Sequence, residues 1–385
     1  MKVYEQYKKI ENELNKTNYT LKDYNNILNK MGDEKSKNIL YYRLMVDNAI
    51  DPYYGLMLQK TAIEGDSFNN PSDKIMYSLL TFLLKNNNYK KKIYIIGFSK
   101  YNVIPNSVTW QSSKPLDIDC IFDDIDTENE YTHDATGGKY IDVISLNRLN
   151  EITFDENSIF IIANPNYQNY YEVLKREYNI NEENIFLFYC DALSERNIQY
   201  FGESFIPIGN DEILIDGGAF NLYSAFDFSR WTYGRYKKIY SFEAIESLYD
   251  ICKKNIDNYN LKDIELFNLG LWSENTKIKF DYMGSASRAS ECGRIIVNTD
   301  TIDNILDGKE VTIIKLDIEG AEYEALIGAE KTIKKYKPTL MICAYHNPND
   351  IIKLTNLIIS YNPNYKIYAR HYGYSVYETV LYFID

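Results

Sequence analysis

Apolar residues follow two rhythms along this chain. At the start, Val3, Tyr7, Ile10 and Leu14 recur at helical spacing. Asp33 is placed to cap a following helix through Leu40 and Leu44, and a third helix is expected over 74–84. Residues 1–87 therefore read as a helical segment. From residue 91 the apolar runs shorten to strand length: Ile93–Ile96 ending at Gly97, Ile118–Phe122 ending at Asp123, Ser158–Ala163 ahead of a helix near Tyr167–Glu177, and Ile185–Phe188. Strands alternating with helices predict a small α/β domain over 88–195. Its first turn, Gly97–Asn102, has one glycine where a dinucleotide fingerprint needs three, so it reads as a structural or substrate-positioning domain.

Residues 193–211 read as a linker. Beyond them, strands are expected at 212–216, 238–243, 263–268, 311–317 and 338–343, with helices after the first, second, fourth and fifth. Lys277–Tyr282 and Arg294–Val297 mark a β insertion. Tyr365–Arg370 and Glu378–Ile384 are joined by a short loop containing Gly373, too short for a crossover helix, so this last pair is expected to be antiparallel. The expectation for 196–385 is a doubly wound α/β sheet, parallel with a terminal antiparallel hairpin.

The chain has 385 residues, enough for two cores, and a net charge of −13. That charge argues against nucleic acid, whose phosphates demand a basic face. Five scattered cysteines without a Cys-x-x-Cys pair read as reduced thiols of a cytoplasmic protein. No apolar run reaches membrane-spanning length, and the first residues carry no secretory signal. The N-terminal helices could dimerise, but their heptads are not sustained, and packing on the next domain is the expectation. The 37 tyrosines read as base composition of an AT-rich bacterial genome rather than as a special role.

The chemistry concentrates at strand ends. Asp216 closes an apolar strand and is followed by Gly217 and Gly218, which permit close backbone approach. Glu243 closes the next strand, where an acid can accept both hydroxyls of a ribose. Lys315 and Asp317 lie within an otherwise apolar strand, and a buried charge there needs a partner or a job. Asp317 reads as a base, a substrate clamp or a metal ligand, with Glu319 and Glu322 as candidates for the same tasks. Alternatively, the two glutamates are helix-start charges paired with Lys315. Of three histidines, His346 follows the fifth strand and is a candidate base. His371, beside Arg370, is expected to clamp substrate or steady the hairpin, and His133 in the Gly137–Gly138 loop carries no signal. No His-x₃-His or Cys cluster points to a transition metal. Mg²⁺ is possible in the acidic loops, but no spacing demands it, and metal content is left open.

In order along the second half come Leu214-Ile-Asp216-Gly217-Gly218-Ala219, Tyr240-Ser-Phe-Glu243, Lys315-Leu-Asp317-Ile-Glu319-Gly320-Ala321-Glu322, Ala344-Tyr345-His346, and Arg370-His371-Tyr372 followed by Glu378-Thr379-Val380-Leu381-Tyr382. In these motifs residues 200–385 resemble the FkbM-type methyltransferases. The α/β domain before them looks like a companion often fused to that family. The resemblance implies a class I methyltransferase-like sheet and S-adenosyl-L-methionine as cofactor. It places Asp216, Gly217, Gly218, Ala219, Asn221 and Glu243 around that cofactor, with Asn268 and Leu269 as candidate adenine-side contacts. His346 and Asp317 become the candidate catalytic residues, and Glu319, Glu322, Arg370 and His371 the candidate substrate contacts. One departure stands out: the family pattern has a further glycine where this chain has Leu222.

The reading that follows is an O-methyltransferase for a sugar or other small hydroxylated acceptor in bacterial glycan or natural-product modification. The alternative is a non-catalytic nucleotide-binding or scaffold module of a glycan-modification system. A nicotinamide oxidoreductase is a third, weaker reading.

Overall fold

The computed structural model describes residues 2–49, 51–63, 79, 81–85, 91–97, 118–123, 131–134, 140–155, 157–162, 167–187, 199–209, 211–281, 288–289, 293, 295–372 and 378–385. The chain divides into two compact units: Met1–Leu40 with Arg196–Arg370 and Glu378–Asp385, and Tyr41–Glu195 with His371–Tyr377.

Four helices open the chain: α1 (Lys2–Leu14), α2 (Leu21–Leu28), α3 (Glu34–Asn48) and α4 (Pro52–Ile63). Thr20 and Asp23 form a reciprocal capping box that starts α2. The helix expected over 74–84 falls largely outside the described residues. There follow β1 (Ile93–Ile96), β2 (Ile118–Asp123), β3 (Tyr131–Asp134), β4 (Tyr140–Ser145), β5 (Ile159–Ile162), α5 (Tyr167–Arg176) and β6 (Ile185–Leu187). These strands form one sheet in the order β3-β4-β2-β1-β5-β6, parallel except for the antiparallel pair β3–β4. Tyr94, Phe122 and Phe160 lie buried on it, with Phe154 packed edge-on against them.

The β3–β4 pair corrects the sequence reading, which took the region around His133 as loop. Tyr131–Asp134 is short and polar and has no strand signal of its own. It becomes a strand because Thr132 and His133 find partners at Asp142 and Ile141. Residues 135–139, with Gly137 and Gly138, and 98–102 of the expected first turn lie outside the described residues.

In the other unit the sheet is built from β7 (Glu212–Gly217), β8 (Tyr236–Phe242), β9 (Ile264–Phe267), β14 (Ile313–Leu316), β15 (Thr339–Cys343), β16 (Lys366–His371) and β17 (Thr379–Ile384). A smaller sheet in the order β10-β13-β11-β12 uses β10 (Gly270–Leu271), β11 (Thr276–Asp281), β12 (Arg288–Ala289) and β13 (Ile295–Asp300), in the region expected as a β insertion. Tyr282 and Arg294, at the edges of that expectation, lie outside the described residues. The main sheet runs β16-β17-β15-β14-β7-β8-β9. Its members from β15 to β9 are mutually parallel, and β17 runs antiparallel to β15. Every residue of β7, β14 and β15 is buried, as expected of continuous apolar strands covered on both faces.

The covering helices are α6 (Tyr223–Trp231), α7 (Glu246–Asn258), α8 (Ile302–Leu306), α9 (Glu322–Ile327), α10 (Glu330–Tyr336) and α11 (Asp350–Tyr361). Helix α2 packs on α11, and the chain after it runs along the sheet: Gly32 N–H donates to Ile367 O at 2.7 Å, and Ile367 N–H to Lys30 O at 3.0 Å. This parallel bridge between Met31 and Ile367 covers part of the edge strand β16. Among the described residues no helix is long and apolar enough to cross a membrane. Cys120, Cys252 and Cys343 are buried, while Cys190 and Cys292 lie outside the described residues.

Candidate functional site

Because β7, β8, β9, β14 and β15 are parallel, the polar residues that close them share one rim of the sheet. Asp216 on β7 and Lys315 on β14 stand opposite each other in register. Their charged atoms are 3.2 Å apart, and both side chains are almost wholly buried. Lys315 Nζ also donates to the carbonyls of Gly217, at 3.0 Å, and Gly218, at 2.9 Å. Burial opposes its charge, but Asp216 and Asp317 outweigh that and raise its pKa above the ordinary lysine value. The Asp216 carboxylate accepts from Ser224 Oγ at 2.8 Å and Ser241 Oγ at 3.4 Å. Asp216 and Lys315 thus hold the glycine turn from inside.

The glycines serve the protein's own packing. A Cβ on Gly218, whose φ is +76°, would run into the Asp317 carbonyl oxygen, and one on Gly217 would press Leu316 and Leu271. The turn is completed by the amides of Gly218 and Ala219, which donate to Phe242 O at 3.1 and 2.9 Å. Asn221 Oδ1 accepts from Tyr223 N–H at 3.0 Å at the start of α6, and its carbonyl accepts from Asn255 Nδ2 at 2.9 Å. Leu222 adopts φ 65° and is fully buried. A left-handed leucine costs about 1–2 kcal/mol, so burial of its side chain must compensate for the missing glycine.

Glu243 follows β8 and is nearly buried. Its Oε2 accepts from Phe220 N–H at 2.8 Å and its Oε1 from Ile245 N–H at 2.9 Å, leaving lone pairs on both oxygens. Burial raises its pKa, while the two amides pull the other way. Asn268, exposed at the end of β9, donates through Nδ2 to the carbonyls of Glu243 and Ala244 and so braces this rim. Leu269, half-buried, leads into β10. The Phe220 ring projects into solvent at the same place.

Around Asp317 the structure gathers more than the sequence led one to expect. Tyr200 Oη donates to Oδ2 at 2.8 Å, and Tyr345 Oη to Oδ1 at 3.1 Å. Although burial opposes ionisation, Lys315, His346 and the Tyr200 hydroxyl hold the Asp317 pKa below the usual carboxylate value. His346 Nε2 lies 3.2 Å from Glu319 and 3.6 Å from Asp317, and its Nδ1 lies 3.1 Å from Glu322. Burial works against the imidazolium, yet Glu322, Glu319 and Asp317 prevail and raise the pKa of His346 well above its ordinary value. In this setting the imidazole favours its charged form. Glu319 sits at φ 56° and Gly320 at φ 97°, the turn that brings Glu322 back so that its Oε1 accepts from Ile318 N–H at 2.9 Å. Glu378, ahead of β17, accepts from Gln199 Nε2 at 2.7 Å.

Arg370 is occupied elsewhere. Its guanidinium donates to Glu203 at 3.0 Å, to Asp33 at 2.8 Å and to Ser36 Oγ at 3.2 Å, over the ring of Phe205. It ties the start of α3 to β16, an arrangement that suits steadying the hairpin, the second of the two expected roles, rather than clamping substrate. His371 ends β16 and is buried.

Tyr200 and Gln199 were not singled out from sequence, and Lys315, Tyr345 and Glu378 were noted without assigned tasks at this rim. Lys315 carried a usable signal, a lone cation in an apolar strand. Tyr200 carried none, being one of 37 tyrosines in a segment read as linker. A separate shallow cleft of about 510 Å³ is lined by Phe201, Gly202, Asp227, Arg230, Trp231 and Tyr233, none of them a strand-end acid.

Residues 208–376 match the family described as the methyltransferase FkbM domain. The chain is similar in fold to the crystal structure of methyltransferase FkbM from Methylobacillus flagellatus, with 18% identity, a TM-score of 0.53, and coverage of 77% of this chain and 90% of that one. Weaker similarity is found to Aeropyrum pernix fibrillarin with natively bound S-adenosyl-L-methionine (11% identity, TM-score 0.31, 50% of this chain and 70% of that one). A precorrin-6y C5,15-methyltransferase from Geobacter metallireducens is comparable (11% identity, TM-score 0.29, 46% and 79%). No curated protein matches the chain.

Proposed function

We propose that this chain, whose residues 208–376 match the methyltransferase FkbM domain, transfers a methyl group from S-adenosyl-L-methionine to a hydroxyl oxygen of a sugar or similar small acceptor. The observation that carries the reading is the ionised, partly exposed carboxylate of Asp317 at the same strand-end rim as the braced carboxylate of Glu243.

The donor set suits such a cofactor. Glu243 keeps lone pairs for a ribose diol while backbone amides hold its orientation. The rim is acidic, and its one buried lysine is committed to Asp216 and two carbonyls, so a positively charged sulfur meets net negative charge. Asp216 contributes from beneath, by setting the turn of Gly217 and Gly218. Ala219 and Asn221 hold that turn and the start of α6, and Asn268 and Leu269 flank Glu243. When bound, the cofactor supplies a methyl group on a sulfonium.

The rest falls to the chain's own residues. Asp317 holds the acceptor hydroxyl and takes its proton, a task suited to a carboxylate kept ionised by Lys315 and two tyrosine hydroxyls. His346, favouring its charged form, offsets the carboxylates around Asp317, and Glu319, half-exposed, offers an acceptor oxygen to a second hydroxyl. Alignment of the acceptor supplies most of the rate gain. Bacterial glycan modification is the context in which such hydroxyls abound.

Calorimetric titration with S-adenosylhomocysteine tests the cofactor class before any acceptor is known. Saturable binding, weakened by Glu243→Ala, is the expected result, and no heat at millimolar ligand would overturn the reading. Asp317→Asn is expected to retain that binding while losing at least about a hundredfold in turnover, the lower range of general-base effects.

A further inference from the structure

We propose that Asp317, Glu319 and His346 form a binding site for one first-row divalent metal ion such as Mn²⁺ or Zn²⁺. One donor atom from each residue lies within 4.8 Å of the others. Two donors set tetrahedrally around one ion at about 2.1 Å stand roughly 3.4 Å apart, and His346 Nε2 already lies 3.2 Å from Glu319 and 3.6 Å from Asp317.

The His346 side chain is 8% exposed, and neither ring nitrogen makes a hydrogen bond, although Nε2 faces Glu319 and Asp317. The ring is held by charge alone, its nitrogens misaligned for hydrogen bonds to the carboxylates around them, and a metal ion would satisfy Nε2 directly. Glu322 Oε1 stands 3.1 Å from Nδ1, and its Oε2 is buried without a partner. A carboxylate behind the far nitrogen of a histidine is the arrangement that fixes the tautomer and turns Nε2 towards a metal. Three carboxylates thus crowd one imidazole, and the nearby cation, Lys315, is spent on Asp216 and two carbonyls. The cluster has an excess of negative charge that a divalent ion cancels.

The ligands stand just beyond the ends of the adjacent parallel strands β14 and β15, rigid elements suited to a preformed site. Two carboxylates and an imidazole favour manganese, iron or zinc over magnesium or calcium, which prefer oxygen alone. Three protein donors leave coordination positions open to water or an acceptor. Binding displaces the proton from Nε2, so the ion replaces the imidazolium as the charge that balances Asp317 and Glu319. This site goes beyond the methyl-transfer reading, since it is tested with neither cofactor nor acceptor present.

The chelator-treated full chain is titrated with Mn²⁺, and free ion is followed by electron paramagnetic resonance. One ion per chain is expected, displaced by Zn²⁺. Affinity should fall at least tenfold in Glu319→Gln and in His346→Ala, and stay unchanged in the surface variant Glu265→Gln. Circular dichroism checks folding; Glu319 is 30% exposed, so should His346→Ala unfold, Glu319→Gln decides alone. No saturable uptake, or equal affinity in Glu319→Gln and the unaltered chain, overturns the site. S-adenosylhomocysteine binding by the metal-free chain is scored separately, so failure of one reading leaves the other standing.

Discussion

The Lys315 ammonium and the Asp216 carboxylate meet 3.2 Å apart inside the sheet, across neighbouring strands and beneath the glycine turn. A pair so deeply buried is expensive to break from one side. Lys315→Met leaves Asp216 uncompensated and two turn carbonyls without a donor, and is expected to cost about 3–5 kcal/mol. The double variant Lys315→Met with Asp216→Leu should recover part of that loss in urea unfolding. A single variant that unfolds like the unaltered chain would refute this role.

Tyr200 Oη donates to Asp317 at 2.8 Å from a position 117 residues away. Tyr200→Phe removes a donor to the ionised form, so the Asp317 pKa rises. The acidic limb of the turnover profile is expected to move to higher pH, with roughly a tenfold loss of rate, from a hydrogen bond to charge worth about 1.5–3 kcal/mol. An unshifted limb would exclude Asp317 as the group reported.

Glu378 is pushed up from 4.5 to about 7, first by burial and then by the Asp317 charge, against the pull of Gln199. The folded chain therefore keeps a proton that the unfolded chain releases between those two values. More protons are bound in the native state, so this group makes stability fall as pH rises through that window. Glu378→Gln should flatten the dependence, seen as a smaller difference between unfolding midpoints at pH 5 and 7.5. An identical slope in the variant would rule this group out.

Gly218 combines φ +76° with a Cβ position occupied by the Asp317 carbonyl oxygen. Gly218→Ala is expected to lose more than about 2 kcal/mol from backbone strain and overpacking together. Thermal unfolding reads this directly, and a melting temperature within a degree of the original would contradict it.

Leu222 tests the opposite case. Its φ of 65° invites glycine, yet its side chain is fully buried. Leu222→Gly gives back about 1–2 kcal/mol of backbone strain but loses about 2–5 kcal/mol of core packing. Net destabilisation is expected in urea, and a stabilised variant would show that strain dominates.

The seven strands of the main sheet were legible because each centres on a short apolar run bounded by polar or glycine residues, a signal carried by the residues themselves, whereas the two-residue strands β10 and β12 carried none. The strand-end acids Asp216, Glu243 and Asp317 were legible for the same reason, since charge at the edge of an apolar run stands out. The β3–β4 pair was not, because Tyr131–Asp134 owes its conformation to a partner strand. Nor were the true partners of the site. Arg370 was read as a clamp or a hairpin support, but its partner Asp33, 337 positions earlier, was not legible.

The amino-acid order alone determined which apolar runs of the second half become the main-sheet strands, their parallel succession, and the acids that close them, because periodicity and strand-to-helix spacing are local. Only the tertiary structure decided what each acid does there. It buried Asp216 against Lys315, left Glu243 with open lone pairs, and surrounded His346 with three carboxylates. Those outcomes depend on burial and on distances between residues far apart in the chain, and no local pattern encodes either.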